Sequence, residues 1–131
     1  MAGEHPNAAL AQRLFDAFSR RDGRVVAAAL DEDVVWRLGG TSPLAREYHG
    51  RREVVGFLGQ TTALTGGTYR SELLYAVADA DHVVAVYRAH GERGERSIDL
   101  VQILLCEVRD GRLVDVTAIP TDQAVFDAFW G

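Results

Sequence analysis

The side chains best able to exchange a proton near neutrality meet in one short run, Tyr87-Arg88-Ala89-His90. His90 is the candidate general acid or base, because imidazole titrates close to neutrality and a pocket shifts it easily. Arg88 has the same strand parity, so the two could together hold an anionic or carbonyl oxygen. Tyr87 has the opposite parity, so either Tyr87 or the Arg88/His90 pair faces inward. His90 also directly precedes Gly91 and the charged Glu92-Arg93, the pattern of an exposed strand end. His5, His49 and His82 fall in the N-terminal tail, a loop and a turn. No Cys/His/Asp/Glu cluster has metal-ligand spacing and no glycine-rich phosphate loop follows a strand, so neither a metal nor a nucleotide or other cofactor is expected.

A second candidate, Gln102, lies in the stretch IDLVQILLCEV, residues 98–108, which is apolar on both faces of a strand. Alternation sends Leu100, Gln102, Leu104 and Cys106 one way and Val101, Ile103 and Leu105 the other. Both faces must then be covered, by helices on one side and a second subunit on the other. Gln102 becomes a polar group inside an apolar cavity, where it needs a partner. Cys106, the lone cysteine, is a small core residue with no internal disulfide partner.

The elements that position these residues follow from periodicity. Leu10, Leu14, Ala17 and Phe18 recur at helical spacing, so residues 7–20 read as an amphipathic helix capped by Asn7 after Pro6. Asp22 caps a short second helix through Val25, Val26, Ala29 and Leu30, stopped by Asp31-Glu32-Asp33. Val34, Val35 and Trp36 form a brief strand broken by Gly39, Gly40 and Pro43, and a loop follows. A third helix runs from Gly50 through Val54, Val55, Phe57 and Leu58 to Gly66-Gly67. The period then changes to that of strands, over 68–77, 82–90, 96–109 and 113–119. Asp79-Ala80-Asp81, Gly91 to Gly94 and Asp110-Gly111 supply the turns. Pro120 stops the last strand, and Thr121 or Asp122 caps a short helix whose face of Val125, Phe126, Phe129 and Trp130 closes something apolar.

Composition narrows the class. A chain of 131 residues, 47% hydrophobic and 25% charged, reads as one globular domain over 1–131 with one core. A net charge of −5 without a basic stripe argues against nucleic acid. Arg20, Arg21 and Arg24 read as a solvated face. No apolar run is long enough for a membrane span and no signal peptide opens the chain, so a cytoplasmic protein is expected.

Leu30-Asp31-Glu32-Asp33-Val34-Val35-Trp36, Tyr48-His49-Gly50 with Val54 and Phe57 after it, and Val108-Arg109-Asp110-Gly111-Arg112-Leu113-Val114 resemble the nuclear-transport-factor-2-like (NTF2-like) superfamily. The resemblance is to its ketosteroid-isomerase and polyketide-cyclase-like (SnoaL-like) branch. It implies a cone-shaped α+β barrel, with three N-terminal helices packed on a curved antiparallel sheet and a short C-terminal helix. A deep apolar pocket would lie between helices and sheet, and dimerisation would use the convex face, here Val101, Ile103 and Leu105. Isomerases of this branch use an Asp base near the end of the first strand, a Tyr on the first helix and a protonated Asp on the long strand. Aligned here, these fall on Leu38, Leu14 and Leu104. Asp99 shares the convex parity of Val101, as a dimer-edge or strand-end charge. Where cyclases and epoxide hydrolases of the superfamily place an acid, this chain has Thr117, Ala118 and Ile119.

The resemblance places Trp36 and Tyr48 in the pocket lining. With Phe57, Arg88, Gln102 and Leu104 they make the expected ligand-binding set, and His90 is the catalytic candidate. Three readings follow: a pocket protein for an apolar, polycyclic or polyketide-like small molecule; an isomerase-, cyclase- or hydrolase-like enzyme using His90 or a tyrosine; and a dimeric association module with a vestigial pocket.

Overall fold

A computed structural model describes residues 5–131. Ten elements follow one another: α1 (Pro6–Ser19), α2 (Gly23–Ala28), β1 (Leu30–Leu38), β2 (Arg46–His49), α3 (Arg51–Leu64), β3 (Arg70–Ala78), β4 (His82–Arg93), β5 (Arg96–Arg109), β6 (Arg112–Pro120) and α4 (Gln123–Trp130). The strands form one six-stranded sheet in the order β2-β1-β6-β5-β4-β3, antiparallel except for the β1–β6 pair. The sheet is curved and open. Its edges β2 and β3 do not pair, so the cone expected from the resemblance is not a closed barrel.

Most element ends are set by local chemistry. Pro6 opens α1, where a missing N–H costs nothing. The cap is His5, not Asn7: His5 Nδ1 accepts from Asn7 N at 3.1 Å. Asn7 is freed to donate through Nδ2 to the carbonyls of Asp79 and Ala80, pinning α1 to the β3–β4 turn. Within that turn the Asp79 carboxylate accepts from the N–H groups of Asp81 and His82. Those backbone bonds, the Asp81 one foremost, hold it below the usual carboxylate range. Asp110 and Gly111 both adopt positive φ, 53° and 73°, as a two-residue hairpin between right-twisted strands demands.

Two expectations change. Asp31-Glu32-Asp33 does not stop a helix but lies inside β1, at the register shift where that strand bulges against β6. A bulge leaves residues unpaired and solvent-facing, which suits carboxylates. The stretch read as loop after β1 contains β2, four residues of which only Tyr48 is buried. So short and charged an edge strand has no detectable period.

β5 is paired along both edges, from Arg93↔Arg96 to His82↔Glu107 with β4, and from Gln102↔Pro120 to Arg109↔Arg112 with β6. Its alternation is realised: Ile98, Leu100, Gln102, Leu104, Cys106 and Val108 are buried, while Val101 and Ile103 are half-buried and Leu105 is exposed. The helices cover only the face of the first set.

α4 closes one end of that covered face. The Asp127 carboxylate accepts from Thr41 N and from Gln123 Nε2, clasping the β1–β2 loop, and Arg93 Nη1 donates to Phe129 O. The clasp requires a glycine at 40, where φ is +114° and an added Cβ would lie 2.1 Å from Asp127 Oδ1. Gly40→Ala is therefore expected to lower stability by more than ~1 kcal/mol in urea titrations. Gly39→Ala, which meets nothing within 4 Å, is the control. Equal midpoints for the two variants would mean that the clasp does not hold α4.

Candidate functional site

The buried face of the sheet and the helices enclose a cavity. Gln102 and Leu104 of β5, Tyr87 of β4 and Trp36 of β1 form its sheet wall. Leu14 and Phe15 come from α1, Phe57 and Thr61 from α3, and Phe126 and Trp130 from α4. The void has a volume of about 60 Å³, enough for a few waters as it stands, so a larger ligand must widen it towards its mouth.

The helices reach the cavity for a simple reason. Leu10 and Leu14, and Val54, Phe57 and Thr61, recur three or four apart and so share one side of their helix. α3 begins at Gly50, whose φ of 89° turns the chain from β2 into the helix. On this scaffold Phe57 stacks on Tyr48, with centroids 4.4 Å apart, and lies tilted against Trp36 at 6.2 Å.

Among the described residues no charged side chain and no imidazole lines the cavity. Its polar atoms are few. Tyr87 and Gln102 face each other across the β4–β5 ladder, and Tyr87 Oη donates to Gln102 Oε1 at 3.1 Å. That bond uses the amide oxygen, leaving Nε2 as a donor with no acceptor, although Gln102 is only 2% exposed. Trp36 Nε1 is a second buried donor without an acceptor. Each such group costs ~1–3 kcal/mol when unmet, and both belong to side chains of the cavity wall.

Burial pushes the Tyr69 phenol up to about 12, hydrogen bonding towards Ser71 and Gln102 offsetting part of the rise. That approach does not satisfy Gln102 Nε2, which has no acceptor in bonding geometry. Burial foremost, with Tyr69 and Cys106 adding to it, raises Tyr87 well above the usual phenol value. Both phenols are therefore neutral hydrogen-bond donors at ordinary pH, unsuited to act as bases.

The expected site residues separate cleanly. Trp36, Phe57, Gln102 and Leu104 line the cavity. Tyr48 is buried but does not reach it, because its hydroxyl donates to Leu44 O at 2.7 Å and its ring backs Phe57. Arg88 is on the opposite face, where Nη1 pairs with Asp99 Oδ1 at 2.8 Å. His90 is likewise absent from the cavity wall, and lines a separate polar hollow at the edge of the sheet. The choice between Tyr87 and the Arg88/His90 pair thus falls to Tyr87. Alternation from the buried neighbours Val83, Ala85 and Ala89 dictates it. Leu100 and Cys106 are buried on the cavity's side of β5 but are not in its wall.

Leu14, Leu38 and Leu104, which the resemblance aligns with the three isomerase positions, all line this one cavity. Of the trio at the end of β6, Ala118 lines it. Tyr69 and Ser71 were missed in the sequence. Their signal was parity, since both share the inward side with Leu73 at the start of an edge strand that otherwise reads as exposed.

An open, curved α+β sheet whose concave face is roofed by helices over an apolar cavity is the NTF2-like class of protein. The chain belongs to the SnoaL-like domain family, whose model matches residues 11–116. It is 31% identical over 122 residues to an uncharacterised protein of Mycobacterium tuberculosis, covering 92% of this chain and 93% of that one. Among solved structures it is similar to Bal32a from a soil-derived mobile gene cassette, with 28% identity, TM-score 0.93, and 96% and 97% of the two chains covered. TerC, co-crystallised with polyporic acid, shares the fold at 19% identity and TM-score 0.83, over 95% of this chain and 98% of its own. Solved proteins described as NTF2-like, as a putative ketosteroid isomerase and as a putative polyketide cyclase share it too. Among the described residues no helix is long and apolar enough to cross a membrane, and no group of three or more His, Cys, Asp or Glu could hold a metal.

The buried phenols and Cys106, whose thiol burial pushes to about 12, make stability pH-dependent. Each holds its proton in the folded chain above the pH at which the unfolded chain releases it, from about 9 for Cys and 10 for Tyr. The contribution is complete below those values and is lost as pH rises towards 12. Tm is expected to fall across that window and to fall less steeply in Tyr87→Phe. A Tm level from pH 9 to 12 would mean that these groups are not buried.

Proposed function

We propose that the chain binds a neutral, largely apolar small molecule bearing an oxygen acceptor, of the polycyclic or polyketide-like kind. The observation that carries this reading is the pair of buried donors without acceptors, Gln102 Nε2 and Trp36 Nε1, on two side chains of one cavity wall that is uncharged among the described residues. A ketone, quinone or ether oxygen would meet them, and no fixed charge is present to favour an ion. TerC, which shares the fold, was co-crystallised with polyporic acid.

An enzymatic reading keeps one support. The Tyr87–Gln102 pair and Tyr69 could polarise a carbonyl, as neutral phenols do in oxyanion holes. Among the described residues the wall has no carboxylate or imidazole to accept a proton, and Leu14, Leu38 and Leu104, which the resemblance aligns with isomerase groups, cannot exchange one, so binding is the stronger reading.

Thermal shift with the hydroxyanthraquinone emodin and the steroid enone testosterone tests this. Either ligand at about 100 times its Kd is expected to stabilise the fold by ~2.7 kcal/mol, read as a rise in Tm. Gln102→Leu removes one donor at nearly constant volume and is expected to weaken binding by about tenfold, or ~1.4 kcal/mol. If neither compound shifts Tm, or the variant binds as tightly as the parent, the reading fails.

We further propose a homodimer through the convex sheet face, including Val101, Ile103 and Leu105. Two rows of apolar side chains cross it in register, Tyr75–Val86–Ile103–Ile119 and Val77–Val84–Leu105, the latter ending at Thr117. Tyr75 and Val77 are each 58% exposed and Leu105 43%, a contiguous apolar surface unusual for a monomer. Light scattering after size exclusion should give a dimer for the parent and monomer or aggregate for Ile103→Glu and Val101→Arg. An unchanged dimer in both variants would rule out this face.

A further inference from the structure

Next to the apolar cavity lies a second hollow of about 320 Å³ by the same measure, between α1, α3 and the start of β3. The two share four residues of wall, Phe15, Phe18, Tyr69 and Ser71. Phe18 meets Tyr69 edge-on at 6.3 Å, so the partition is aromatic and thin. Beyond it the chemistry inverts. The outer hollow is lined by Gln12, Ser19, Thr62 and His90, and by Arg21 and Arg70 set against Asp16 and Glu72. None of these four charged residues belongs to an ion pair among the described residues. Tyr69 stands at the threshold, its phenol oriented towards Ser71 and the inner amide Gln102.

We propose that the two hollows are halves of one bipartite site for an amphipathic ligand, with an apolar ring system inside and a neutral, hydroxyl-rich head group, such as a glycosyl unit, outside. The inference rests on the binding reading of the inner cavity. Two arginines and two carboxylates leave the outer hollow without a net sign, so an anion would meet Asp16 and Glu72 and a cation would meet Arg21 and Arg70. A hydroxyl both donates and accepts, and satisfies either kind of neighbour.

The test compares each aglycone with its glucoside: emodin with emodin 8-O-glucoside, and testosterone with its 17-O-glucoside, by titration calorimetry. In at least one pair the glucoside is expected to bind ten or more times tighter. Gln12→Trp, which sets an indole in the outer hollow from an exposed position on α1, should abolish that gain while leaving the aglycone Kd within twofold. Ser19→Trp is the second such variant, should the first fold poorly. Gln102→Leu should weaken aglycone and glucoside alike. If an aglycone binds but neither glucoside gains, the bipartite site is overturned while the inner reading stands. A glucoside gain that survives both tryptophan variants also overturns it. Should no aglycone bind, the inner reading fails and takes this inference with it.

Discussion

The pairing of β5 along both of its edges is the constraint on which the molecule turns. A strand held by ladders on either side cannot slip by one residue without sending Gln102 and Leu104 to the outer face and Val101 and Ile103 into the core. The same ladder brings Tyr87 opposite Gln102, so one register decides both the shape of the cavity floor and its polar content. The helices answer to it. α1, α3 and α4 each contribute apolar side chains to whichever face β5 declares to be inside, and α4 is locked there by the Asp127 clasp and by Arg93.

What this arrangement builds is a chamber without charge. Three leucines, Leu14, Leu38 and Leu104, line it, and the nearest ionisable groups are phenols that burial keeps protonated. An apolar chamber is inexpensive to empty of water, yet two buried donors in its wall are not. On the proposed binding reading, an oily lining with two unmet N–H groups would favour molecules that are mostly hydrocarbon with an oxygen in the right place. The charged residues have not vanished. They are displaced to the convex face, as Arg88 with Asp99, and to the polar hollow beyond Tyr69.

Much of the fold was legible in the chain because strong local signals agreed. The long strand of alternating residues, the Asp110-Gly111 hairpin, the Asp22 and Asp122 caps and the aromatic face of α4 appear where their chemistry places them. Errors fell where local signals were weak or shared. β2 escaped notice because four residues with one buried side chain carry no period, and the acidic bulge of β1 imitates a helix stop. Asn7 and His5 traded the capping role because Asn7 had a better use, two carbonyls across the fold that a local reading cannot see. In the site, Trp36, Phe57, Gln102 and Leu104 were found from parity and resemblance. Tyr48 was not separable from them, since only the position of Leu44 O shows that its hydroxyl is already satisfied.

The sequence by itself determined the alternation of the long strand and the turns that fold it back on its neighbours, because each depends on residues adjacent or nearly adjacent in the chain. Only the tertiary structure decided that Tyr87 rather than His90 faces the cavity, that Tyr69 guards its edge, and that Gln102 spends its oxygen on Tyr87 and keeps a free N–H. Those outcomes depend on which atoms of distant strands come within hydrogen-bond reach. No pattern along one segment records that distance.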